Sequence, residues 1–160
     1  MILSDLSLYS LDQSIRIAYH PCDSKKFESG FYTKTTNTNF SQRITVHNSK
    51  DLDVQEVTIM DHIPVSEDTQ VSVVLKSPSL TLPDAEDDSG APSTVVPSVK
   101  VQTGVVARWQ DSGNSGDVRS LGKDGKLEWV CSIPAKSKVN LLLQWEVSAP
   151  AQAVVLNLAG

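Results

Sequence analysis

Apolar and polar side chains alternate most regularly near the C-terminal end of the chain, between Lys126 and Pro150. Two runs with a period of two flank the break Pro134-Ala135-Lys136-Ser137. The apolar positions are Leu127, Trp129, Cys131 and Ile133 in the first run, and Val139, Leu141, Leu143, Trp145 and Val147 in the second. Because successive residues of a strand point to opposite faces, each run predicts a β-strand with one apolar face. Such faces need a second sheet to cover them.

The same period of two recurs upstream and predicts further strands. They cover residues 14–20, 40–48, 54–60 and 69–76, two short strands that begin at Val99 and Val105, and a last strand with Val154, Leu156 and Leu158. Broken alternation predicts a β-bulge near Gln55-Glu56. Residues 22–38 are polar and are predicted to be a loop that leads into a strand. With no helical period, we predict an all-β, antiparallel β-sandwich of immunoglobulin-like architecture with eight or nine strands; a closed barrel is the alternative.

Two segments have the composition of long loops. Residues 77–98 contain four prolines and four carboxylates with no basic residue, which predicts a disordered acidic loop. Residues 111–117, DSGNSGD, carry turn-forming residues throughout. The length of 160 residues is that of a single domain, 1–160, with the acidic loop inside it.

Charge and composition narrow the possible partners. The net charge is −5, of which −4 lies in residues 77–98, so the rest of the chain is close to neutral. This distribution lacks the basic surface typical of nucleic-acid binding and argues against an anionic membrane as a partner. The N-terminal residues have no basic segment followed by a continuous apolar run, so we expect no secretory signal and a cytoplasmic location. Cys22 and Cys131 lie far apart in the sequence and are expected to be free thiols.

Motifs with a defined chemistry are missing from the sequence. There is no phosphate-binding loop, no dinucleotide fingerprint and no nucleophile elbow, and the three histidines are too dispersed for a zinc motif, so we expect no cofactor, no metal and no catalytic residue. Asp61-His62 is the most enzyme-like pair, but a carboxylate that caps the turn beside an exposed histidine explains it better. The candidate ligand- or partner-binding residues lie in or next to the 111–117 loop: Arg108, Trp109, Asp111, Asn114 and Asp117. Trp109 belongs either to the core, which is favoured, or to an exposed platform for a sugar or peptide.

Several motifs occur in an order that is similar to a known family. Residues 42–75 contain a strand ending in V-x-N, a second strand, a turn and a third strand, and residues 127–150 contain an L-x-W strand, a proline turn and a final strand. The turn positions are Asp61, Ile63, Pro64 and Ser66. This order resembles the C-terminal domain of mucoidy-inhibitor-A-like proteins in its fungal version, a domain of unknown function. The resemblance implies the fold but no activity.

The chain departs from this family in its first residues. The coiled-coil region that precedes the domain in full-length members has no counterpart here, and the chain is expected to begin partway into the domain. A missing first strand would leave an open sheet edge, which is a template for pairing with another chain.

Three functions are compatible with these observations. The first is a non-enzymatic interaction module that binds a protein partner or a second copy of itself through a sheet edge or a loop face. The second is a lectin-like carbohydrate-binding protein that uses an exposed Trp109. The third is a hydrolase with a site around His62 or His47, which requires two catalytic groups within hydrogen-bond reach in one pocket.

Overall fold

Nine β-strands make up the part of the chain that the computed structural model describes, which is residues 13–82, 96–111 and 121–152. Within these ranges there is no helix. The strands are β1 Ile15–Tyr19, β2 Asp23–Ser29, β3 Thr35–Asn48, β4 Val54–His62, β5 Ser72–Ser77, β6 Ser98–Gln102, β7 Val105–Trp109, β8 Lys126–Ile133 and β9 Lys138–Pro150. Each strand pair is antiparallel.

The strands form two sheets, which confirms the predicted antiparallel β-sandwich. The five-stranded sheet is built on β3, which has 14 residues and pairs with β9 along one edge. Along the other edge of β3, β1 and β2 lie end to end. β1 pairs with residues 44–48 of β3, and β2 pairs with residues 35–41. β5 flanks β9. The four-stranded sheet has the order β4-β8-β7-β6.

β8 and β9, which carry the strongest alternation, lie in different sheets. The residues between them, 134–137, therefore cross from one sheet to the other, and the two apolar faces cover each other. Trp129 and Ile133 of β8 join Leu141 and Leu143 of β9 in one buried cluster. Trp145 also lies in this cluster, so both predicted core tryptophans are inside it.

The predicted bulge in β4 is confirmed. The register of β4 against β8 shifts between Val54 and Val57, and Glu56 has a φ of 57°. Register shifts also occur in β5, between Leu75 and Ser77, and in β6, between Lys100 and Gln102. The β6 shift explains why Val99 packs against the core whereas Val101 is exposed.

The prediction of a loop over residues 22–38 is wrong for most of that segment. Residues 23–29 form β2, and β3 already begins at Thr35. All seven residues of β2 are exposed, so no buried face imposes an apolar alternation on its sequence. The prediction therefore failed because its signal depends on burial.

Some predictions lie outside the described residues. These are the last strand with Val154, Leu156 and Leu158, the site residues Asn114 and Asp117, and the acidic part of the long loop at residues 83–95. The single domain over residues 1–160 also stays a prediction.

Candidate functional site

The predicted site around the 111–117 loop does not form an exposed aromatic platform. Trp109 is in the core with 2% of its surface exposed, and its indole N–H donates to the Thr81 carbonyl over 2.9 Å. Arg108 points to the opposite face, where its guanidinium forms an ion pair with Glu128 of β8. Asp111 is exposed at the end of the described segment.

Gly122 holds the Trp109 indole in place. It has a φ of 77°, and a Cβ added at this position would lie 2.8 Å from the indole ring. The backbone therefore passes directly over the ring, which leaves no room for a ligand to stack on it. The carbohydrate-binding alternative loses the exposed ring on which it depended.

The two histidines of the hydrolase alternative, His62 and His47, lie in different sheets. His62 is exposed on β4 of the four-stranded sheet, and His47 lies on β3 of the other sheet. His20 contacts the Thr45 hydroxyl through Nε2 at 2.8 Å. Within the described ranges no cluster of three or more His, Cys, Asp or Glu side chains is arranged to hold a metal ion. These residues therefore do not form the pocket with two neighbouring catalytic groups that the hydrolase alternative requires.

Asp61 is a buried carboxylate between the two sheets. Its Oδ1 accepts the His62 backbone N–H at 2.9 Å, but its Oδ2 is buried with no hydrogen-bond partner. The Tyr19 hydroxyl is also buried without a partner. Burial raises the pKa of Asp61 from 3.8 to about 6, and burial followed by the charge of Asp61 raises the pKa of Tyr19. The expected cap of the following turn is not formed, because the Asp61 carboxylate accepts only the backbone N–H of the next residue, which is still part of β4.

We expect Asp61→Asn to make the domain less sensitive to pH. Because folding raises the pKa of Asp61, its protonated form stabilises the fold below about pH 4, and this contribution is lost as the pH rises through about 6. Between a pH below about 4 and a pH above about 6, the free energy of unfolding should fall by about 3 kcal/mol because of this one group. Denaturant unfolding from pH 4.5 to 7.5 should show the stability of Asp61→Asn, relative to the unaltered chain, increasing with pH. His62→Gln is the control for the neighbouring titratable group, and a difference independent of pH would contradict the assignment.

β2, the first strand of the β2–β3 hairpin, is the most exposed strand in the described ranges. β2 pairs with β3 on one side only, and every residue of β2 is exposed. At the tip, between Gly30 and Lys34, Phe31 and Tyr32 are 100% and 104% exposed. Two adjacent aromatic side chains therefore stand in solvent with no contact to the core.

A polar groove crosses the outer face of the five-stranded sheet at the base of this hairpin. It has a volume of about 500 Å³, within the range typical of small-ligand sites. Cross-strand pairing aligns Lys25, Asn39 and Glu146 in one row. A second row holds Asp23, Ser41 and Gln144. Lys76 closes the far side, 3.7 Å from Glu146.

These features define a β-sandwich domain with an exposed aromatic hairpin and a polar groove on its outer sheet face. Comparison with known proteins gives the family. Residues 11–151 match the family described as "Domain of unknown function (DUF4139)", so the chain belongs to this family. The matched segment contains all nine strands. No curated protein and no solved structure matches the chain.

Proposed function

We propose that the domain is a non-enzymatic interaction module that binds a protein partner with the tip of the β2–β3 hairpin. The observation that carries this proposal is the complete exposure of Phe31 and Tyr32. Aromatic side chains supply large buried areas at protein interfaces and are enriched among the residues that dominate binding energy. A tip that inserts both rings into an apolar pocket of a partner would remove them from water.

The tip is a better binding element than the sheet edges. Addition of a strand needs a regular, unprotected edge, and charged residues and bulges are the usual protection. β2 carries Lys25 and Lys26 at its centre, and Pro21 separates it from β1. The other edge strands are β1, β4, β5 and β6. β1 has only five residues, with the exposed Arg16 among them, and β4, β5 and β6 each have a register shift. Pairing of a partner strand with a sheet edge is therefore disfavoured. The tip of the β2–β3 hairpin remains as the binding element.

A protein fits the tip better than an anionic surface does. The chain carries a net charge of −5, which disfavours approach to anionic lipids or nucleic acid. Within the described part of the chain, no helix is long and apolar enough to span a bilayer. The proposed location is the cytoplasm, which is supported by the free thiols of Cys22 and Cys131.

Replacing both tip residues, as Phe31→Ser with Tyr32→Ser, is expected to abolish partner binding and leave the fold intact. Loss of the two rings should cost at least 2 kcal/mol of binding energy, which is about a thirtyfold loss of affinity. Because neither ring touches the core, the unfolding free energy should change by less than about 0.5 kcal/mol. Affinity capture from lysate with quantitative mass spectrometry measures the first effect, and denaturant unfolding measures the second.

Leu52→Ser is the matched control. Leu52 is 73% exposed in the loop after β3, whereas the tip precedes β3. The length of β3, 14 residues, separates the two positions by roughly 45 Å. The control should retain the captured proteins that the tip variant loses. Equal retention by both variants would contradict the proposal.

We infer also that the domain is the fungal version of the mucoidy-inhibitor-A-like C-terminal domain. The order of the motifs supports this: residues 42–75 run from β3 through β5, and residues 127–150 cover β8 and β9. Asn48, in the V-x-N position at the end of β3, and Asp61, near the end of β4, are two buried polar residues of this pattern.

A further inference from the structure

We propose that the groove on the outer face of the five-stranded sheet is a binding site for a short, neutral oligosaccharide. It lies at the base of the hairpin and uses different residues from the tip, so it does not rest on the proposed protein binding. The carbohydrate alternative raised by the sequence depended on an exposed Trp109, but that indole is buried.

The side chains of the groove match the chemistry of sugar hydroxyls. A hydroxyl both donates and accepts hydrogen bonds, and Asn39, Gln144 and Ser41 do so as well. Neither Lys25 nor Asn39 uses its side chain in a hydrogen bond or ion pair within the described part of the chain. Gln144 reaches Ser41 Oγ only over 3.3 Å. These groups are therefore available to a ligand.

The charges of the groove favour a neutral ligand. Asp23 and Glu146 balance Lys25 and Lys76, and the ammonium of Lys76 lies 3.7 Å from the carboxylate of Glu146. A phosphate or sulfate would be attracted by the two ammonium groups and repelled by the two carboxylates. A metal ion would meet two ammonium groups. Neither kind of ion gains net electrostatic stabilisation in this arrangement.

The floor of the groove excludes binding of an extended peptide as an added strand. The floor consists of side chains on β3 and β9, whose backbone groups are already paired on both sides in the sheet. A peptide lying across them would find no free row of backbone donors and acceptors.

One aromatic residue lies beside the groove, and an aromatic pair supports the sheet from its other face. Phe27, two residues beyond Lys25 on β2 and therefore on the same face, is 45% exposed and offers an apolar ring beside the groove. On the opposite face of the sheet, the rings of Phe40 and Trp145 stack with centroids 5.3 Å apart and planes at 15°. Their stacking supports the strands that carry Asn39, Ser41 and Gln144.

The test is NMR titration of the ¹⁵N-labelled domain with a panel of neutral gluco-, manno- and galacto-oligosaccharides of different lengths. A sialylated and a sulfated oligosaccharide and an unrelated peptide serve as comparison ligands. The side-chain amide signals of Asn39 and Gln144 report on the groove directly, and those of Asn140 and Gln102 report on positions outside it. At least one neutral sugar should shift the Asn39 and Gln144 signals at concentrations up to about 10 mM, well above the millimolar affinity expected for such a ligand.

A variant with Asn39→Ala and Gln144→Ala should bind that sugar at least about tenfold more weakly. Asn140→Ala is the control, because Asn140 lies on the same face of β9, four residues from Gln144. The proposal is overturned if no neutral sugar shifts the groove signals, if only anionic sugars do, or if the peptide does. It is also overturned if the groove signals move with protein concentration alone, because a second copy of the chain would then occupy the groove.

Discussion

Trp129→Ala is expected to destabilise the domain by about 4 kcal/mol, the largest effect of any single substitution that we predict. The Trp129 side chain is fully buried at the centre of β8. Ile59 and Ala107 are its direct neighbours in β4 and β7. The small Ala107 leaves space for the indole, so its removal would create a large cavity that the flanking strands cannot close. A domain of this size has a total stability of roughly 5–15 kcal/mol, and the variant should be close to the limit of folding.

Trp129→Phe separates the loss of volume from the loss of the indole N–H. Trp129 Nε1 is buried without a hydrogen-bond partner, so its removal relieves a buried unsatisfied donor. Phenylalanine should therefore cost less than about 2 kcal/mol. Denaturant unfolding followed by far-ultraviolet circular dichroism gives both values. An alanine variant within 1 kcal/mol of the unaltered chain would show that Trp129 does not fill the core.

Asn48→Ala is expected to cost about 3 kcal/mol, although Asn48 is polar and stands at the end of a strand. Its side chain is fully buried. The two N–H groups of Nδ2 serve three acceptors, the carbonyls of Leu52, Ile133 and Pro134 at 2.9, 3.1 and 3.1 Å, so one N–H is shared. Its Oδ1 accepts the Lys50 backbone N–H at 3.0 Å. One side chain therefore ties the β3–β4 connection to the β8–β9 connection, and alanine would leave several backbone groups with no partner.

Asn48→Asp tests whether the donor is the essential part. A carboxylate has no N–H to offer the three carbonyls and would face their oxygens, so aspartate should destabilise at least as much as alanine at neutral pH. Asn140→Ala, at an exposed position on β9, is the control and should change stability by less than about 0.5 kcal/mol. The role of Asn48 is disproved if Asn48→Asp keeps the stability of the unaltered chain.

The sequence predicted those strands in which buried apolar side chains alternate with exposed polar ones. The alternation in β8 and β9 was strong enough to predict both strands and the burial of Trp129 and Trp145. The bulge in β4 was also visible, because an extra residue shifts the alternation. It did not predict that β8 and β9 lie in opposite sheets, since periodicity describes one strand and carries no information about which strand faces it.

Polar residues with structural roles were harder to predict. Asn48 and Asp61 both point inward from strands, and an apolar pattern treats each as an interruption. Asn48 ends the predicted strand 40–48, and its V-x-N position indicates an amide there, but no periodic pattern predicts the three carbonyls that it contacts. The exposed pair Phe31-Tyr32 was also visible in the sequence, as two aromatic residues inside a polar segment. Its position at a hairpin tip depended on recognising β2, which has no buried face.

The groove could not be predicted from the sequence because it depends on pairing register. Asn39 and Glu146 are more than a hundred positions apart in the chain, but they are direct neighbours across β3 and β9. Lys25 joins them through the pairing of β2 with β3. No local pattern connects these three residues, and their opposite charges and amide groups combine into one surface only after the sheet has formed.

The central claim, that the hairpin tip contacts a protein partner, is tested most directly by photo-crosslinking from the tip itself. A photoreactive phenylalanine analogue replaces Tyr32 in one sample and Leu52 in a second, and both are irradiated in lysate from cells that express the domain. We predict a discrete protein conjugate from position 32, sensitive to replacement of Phe31 by serine, and none of the same mass from position 52. If position 32 gives no conjugate, or both positions give the same conjugates, the tip is not the binding surface of the domain.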